Sequence, residues 1–125
     1  MNTTVHQPPA LDHDASFGAK LNANMHLERR IVWNLLLHLQ ATGFALHSIF
    51  DGEENIPVTD PKAAMELIFN LDEAVIHVML DGHIYAVVLI LGNGIDIISD
   101  YSWTADPERQ DFCMVMEHFD AEDYT

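Results

Sequence analysis

The apolar pattern predicts an α+β fold in the order α-β-α-β-β-β-α, a mainly antiparallel sheet with a central hairpin packed by helices. Three observations carry it. Apolar residues from Met25 to Leu39 recur at helical spacing, Asp81-Gly82 separates two apolar runs, and Asp60-Pro61 and Asp106-Pro107 both read as helix starts.

Residues 1–15 are polar, contain Pro8-Pro9 and show no periodicity, so they are expected to form a disordered arm, leaving residues 16–125 as a single domain. From Asn22 to Thr42 the pattern is helical. Met25, Val32, Leu35, Leu36 and Leu39 share a stripe that Leu27 and Ile31 widen, and Gly43 stands where a helix end needs it. Phe44 to Phe50, closed by Asp51-Gly52, reads as a strand, and the stretch holding Pro57 as a polar loop.

Asp60 is placed to cap a helix whose first residue, Pro61, has no N–H to lose; Ala64, Met65, Ile68 and Leu71 form its inner face. Glu73 to Leu80 and His83 to Leu91 are then the hairpin strands. A two-residue type I′ turn sets Leu80 opposite His83, Val78 opposite Tyr85 and Ile76 opposite Val87, with Met79–Ile84 and Val75–Val88 on the reverse side. Both faces are apolar, so the sheet is expected to be covered twice, by helices on both sides or by a second subunit on one. Gly92-Asn93-Gly94 turns the chain into a third strand, Ile95 to Ser99. A last helix begins at Asp106-Pro107, with Phe112, Val115, Met116 and Phe119 inward, and runs into an acidic tail from Asp120.

The charge is unevenly placed. In residues 1–50 Asp12, Asp14 and Glu28 cancel Lys20, Arg29 and Arg30, so the net charge of −15 belongs to residues 51–125, where only Lys62 and Arg109 are basic. Such a field repels nucleic acid and anionic membrane and steers basic proteins. The chain of 125 residues has one cysteine, Cys113, which excludes an internal disulfide; with no secretory signal and the longest strongly apolar stretch, Ala86 to Leu91, too short to span a bilayer, a cytoplasmic protein is expected.

No motif assigns catalysis, a metal or a cofactor. Gly92-Asn93-Gly94 follows a strand, but lacks the lysine and following helix of a phosphate loop and reads as a turn. The eight histidines include no helical i, i+4 pair, which leaves a site assembled from His77 or His83 with Asp96 or Asp100 as the metal or enzyme alternative. Cys113 lies between Phe112 and Met114 as a small apolar helix residue, and neither Ser99 nor Ser102 stands in a nucleophile motif. Arg29, Arg30 and Trp33 either form a basic-aromatic contact surface, with Arg29 spaced to lie across Trp33, or Trp33 is core and the arginines pair with the acidic half of the chain. In Asp96 to Trp103 acids and aromatics collect at a strand exit, either as a recognition surface or as a strand end with an aromatic plug over the core.

The runs LERRIVWNLL (27–36), GNGIDIISDYS (92–102) and FDAEDY (119–124) resemble those of small uncharacterised acidic proteins of bacterial phages and integrative elements. The resemblance implies a context in which accessory proteins bind and inhibit, or assist, a nucleic-acid enzyme. It implies no site residue. The expected function is thus a non-enzymatic acidic binding protein that docks on a basic protein surface, with no direct nucleic-acid binding and no membrane; a homodimeric structural module is the alternative. The candidate partner residues are Glu53, Glu54, Asp72, Glu73, Asp96, Asp100, Tyr101, Trp103, Asp120, Glu122 and Asp123.

Overall fold

The first helix, α1 (Ala23–Ala41), buries Ile31, Val32, Leu35, Leu36 and Leu39 at helical spacing and stops where Gly43 takes a φ of 99°. There the N–H groups of Gly43 and Phe44 donate to the carbonyls of Gln40 (3.1 Å) and Leu39 (2.9 Å), which pairs backbone acceptors that a helix end leaves open. The computed structural model describes residues 4–11, 23–104 and 106–125. The expected helix start at Asn22, and residues 1–3 and 12–15 of the expected arm, lie outside them. Met25, assigned to the inner stripe, is instead 37% exposed.

After α1 come β1 (Ala45–Phe50), β2 (Asn55–Pro57), α2 (Pro61–Ile68), β3 (Glu73–Leu80), β4 (His83–Ile90), β5 (Ile98–Tyr101) and α3 (Asp111–His118). The fold is α+β, and its sheet has five strands in the order β2-β1-β3-β4-β5, each neighbouring pair antiparallel. β1 therefore joins the hairpin at β3. The expected loop around Pro57 is β2, a three-residue edge strand, where proline's missing N–H removes no interior ladder bond.

The hairpin has the expected register, from Glu73 opposite Ile90 to Leu80 opposite His83. Its turn residues Asp81 and Gly82 both have positive φ, 51° and 79°, as a type I′ turn requires. Asp60 caps α2 by accepting the Ala63 N–H at 3.1 Å, with Pro61 at the first position.

Two expected elements differ. The third meander strand starts at Ile98, because Gly94–Asp96 forms a 3-10 turn and Ile97 is buried. Asp106 caps a separate 3-10 turn, Pro107–Arg109, by accepting the Glu108 N–H at 3.0 Å, and α3 begins only at Asp111. The tail is also folded: Asp120 caps a 3-10 turn, Ala121–Tyr124, and buried Tyr124 stacks on Phe119 at 5.0 Å.

Residues from the three described helices share one buried cluster with Ile49, Ala74, Ile76, Val78, Tyr85, Val87 and Leu89 from one side of the sheet. Burying such side chains contributes about 25 cal/mol per Å² of apolar surface, the main term holding helices to sheet. Part of the expected arm joins this cluster: Leu11 is buried, while the Asn34 amide accepts the His6 N–H at 2.8 Å and donates to the His6 carbonyl at 2.9 Å.

Candidate functional site

The reverse side of the sheet is different. Strand register sets Ala45, Met79 and Ile84 in one row, Ser48, His77 and Ala86 in the next, and Phe50, Val75, Val88 and Asp100 in a third, with Glu73 and Ile90 beyond. Met79 is 38% and Ile84 49% exposed, and Phe50, Val75, Ala86, Val88 and Ile90 are only partly buried. None of these seven packs against the core cluster. Within the described residues the chain covers one face and leaves the other open, which corrects the expectation of helices on both sides. Alternation of burial along β3 and β4, hidden by the apolar composition, records this one-sided cover.

Polar groups mark the middle and one end of the open face. His47 is the extra residue of a β-bulge; its Nδ1 lies 3.0 Å from the buried Ser48 hydroxyl, which in turn lies 3.4 Å from His77 Nδ1. Burial holds the His77 pKa below the ordinary histidine value, and the nearby His47 adds to the effect. At the Phe50 end, Asp51, Asp72 and Glu73 ring a cavity of about 510 Å³ with Phe50, Leu71 and Val75 among its apolar residues. The N–H groups of Glu54 and Glu53 donate to Asp51 Oδ1, both at 2.9 Å, and hold that carboxyl below the usual carboxylate range.

No lysine or arginine occurs in the five described strands, whereas Glu73 and Asp100 are exposed on the open face. Asp100 shares the Val88 row, and its Oδ1 accepts the Tyr101 N–H at 2.8 Å. Glu53 and Glu54 are exposed in the β1–β2 turn beside Asp51. No family model, curated protein or solved structure matches this chain.

The other candidate residues separate from this group. Tyr101 sits in the Val87 row and its ring meets Phe112 edge-on at 6.3 Å, so it packs with the core; burial raises its pKa, with smaller contributions from Glu117, Cys113 and Asp100. Asp96 lies in the Gly94–Asp96 turn, and Glu122 and Asp123 in the Ala121–Tyr124 turn; both turns pack against α1. Asp120 is spent as that last turn's cap, accepting the Glu122 N–H at 3.0 Å. The acids therefore do not form one continuous group. Trp103, 72% exposed, follows Ser102, which is tied to β4 by its N–H to the Ala86 carbonyl (2.9 Å) and its hydroxyl from the Ala86 N–H (2.8 Å).

One residue that sequence reasoning missed fixes the glycine turn. The Glu28 carboxylate, buried on α1, accepts the Gly92 N–H at 3.0 Å and the Gly94 N–H at 2.7 Å. The turn thus does cradle an anion, the chain's own carboxylate, as successive backbone N–H groups in tight turns do. A glutamate among Leu27, Ile31 and Leu35 on the inner stripe was the available signal. Of the two arrangements open to this stretch, Trp33 takes the core one, partly buried against the cluster, and Arg29 is buried over the Phe69 ring at 5.5 Å. Among the described residues no three His, Cys, Asp or Glu side chains converge to hold a metal. Buried Cys113 directs its thiol at the Ser102 carbonyl, 3.7 Å away.

Proposed function

We propose that the chain is a non-enzymatic acidic binding protein that docks on a basic surface of a partner protein, of the kind that otherwise holds nucleic acid. What supports this best is the charge of the sheet: five described strands without lysine or arginine, with Glu73 and Asp100 exposed on the open side and Asp51, Glu53, Glu54 and Asp72 around its end. Those carboxylates are held on turns and strand ends, where they meet an approaching surface. The resemblance to acidic proteins of phages and integrative elements fits an accessory role toward a nucleic-acid enzyme, and a cytoplasmic location belongs to the same reading. Tagged protein purified from its native host at low salt should retain a basic partner that elutes as salt rises, because charge-steered contacts are screened within about 10 Å at 0.1 M salt. A partner held equally at about 0.5 M salt, several times the physiological ionic strength, excludes the charge-based reading.

One observation favours a second reading, a homodimer: Val75, Met79, Ile84 and Val88 form an apolar face that a second copy could cover. Molar mass in solution decides between them.

A further inference from the structure

We infer that the open sheet face is the docking surface itself, and that its occupant is an amphipathic helix of a partner protein, apolar along one stripe and flanked by lysine or arginine. This rests on the reading of the chain as an acidic binding protein and names what it binds.

The mode of binding follows from the ladder. β1, β3 and β4 each have a strand on both sides, so their backbone groups are engaged and an incoming strand could pair only at the edges, β2 or β5. The apolar rows on the inner strands are therefore available only through side chains. A helix answers that: the core side of the same three strands is packed by helices through Ile49, Ile76, Val78 and Val87, and the open side presents Val75, Met79, Ile84 and Val88 at the same pleat spacing.

Charge chooses among occupants. A second copy would bring its own −15 and its own Glu73 and Asp100 against the same acids, with no lysine or arginine from either sheet to pair them. A cationic helix meets Glu73, Asp100, Asp51 and Asp72 at one end while its apolar stripe covers Met79 and Ile84 at the other.

The test titrates the intact chain with a synthetic leucine–lysine amphipathic helix, followed by amide chemical shifts and calorimetry. Two control peptides replace the leucines by serine or the lysines by glutamate. Shifts should concentrate at Val75, Met79, Ala86 and Val88, and both controls should bind at least about tenfold more weakly, losing apolar burial or charge pairing respectively. Ile84→Ser with Met79→Ser, both exposed positions, should weaken the leucine–lysine peptide by about tenfold while the thermal midpoint holds. Glu73→Gln with Asp100→Asn should remove most of the salt dependence. Equal binding of the serine control, shifts confined to loops or the tail, or unchanged affinity of the Ile84 and Met79 variant overturns the inference. A dimer that Ile84→Ser dissociates also overturns it in favour of a second copy. A salt-eluted host partner without sheet-face binding refutes only this inference, whereas sheet-face binding of the peptide without any salt-sensitive host partner refutes only the proposed function.

Discussion

Glu28 shows how much one side chain can decide. Its carboxylate takes the N–H groups of Gly92 and Gly94, more than sixty positions along the chain, and so ties α1 to the meander. Glu28→Ala leaves the buried Gly94 N–H without its acceptor and should lower stability by about 1–3 kcal/mol, read by urea unfolding. Glu28→Gln keeps an acceptor oxygen and should cost less. His77 works through protons. Burial depresses its folded-state pKa, so the unfolded chain holds the proton more readily; the stability it contributes is complete above about pH 6.5 and is lost as pH falls through the folded value. Urea midpoints measured between about pH 5 and 7 should drop toward acid, and His77→Gln should flatten that drop.

Among the elements, what was legible in the sequence was what local chemistry dictates. The Asp81-Gly82 turn leaves the hairpin one register, and Asp60 before Pro61 marks the start of α2 by an interaction within one turn. What escaped depended on distant partners. β2 has three residues and a proline, and exists because β1 offers it a free edge. Glu28 reshapes the residues after Gly92, so β5 starts three residues later than Ile95, and the tail folds because Tyr124 finds Phe119. The candidate site was legible in part: Asp72, Glu73 and Asp100 do gather at one end of the sheet, but Asp120 belongs to a cap and Tyr101 to the core packing. Tyr124→Ala, by removing a buried ring from that tail, should lower stability by about 2–3 kcal/mol, visible as a lower thermal midpoint.

Among the described residues the molecule is a one-sided sandwich, with helices on one side of a sheet whose other side is apolar, free of lysine and arginine, and acidic at one end. Sedimentation at low protein concentration should give the monomer mass, and the apolar face should draw copies together only as salt screens their common charge. The stretch around His6 and the residue Tyr124 line one cavity, together with Asn34, Leu37, His38 and Ala41 of α1. The early and late parts of the chain thus meet on the helical side. For the same reason a bead or fluorophore attached near either place leaves the opposite side unobstructed, which makes the molecule simple to immobilise in a known orientation.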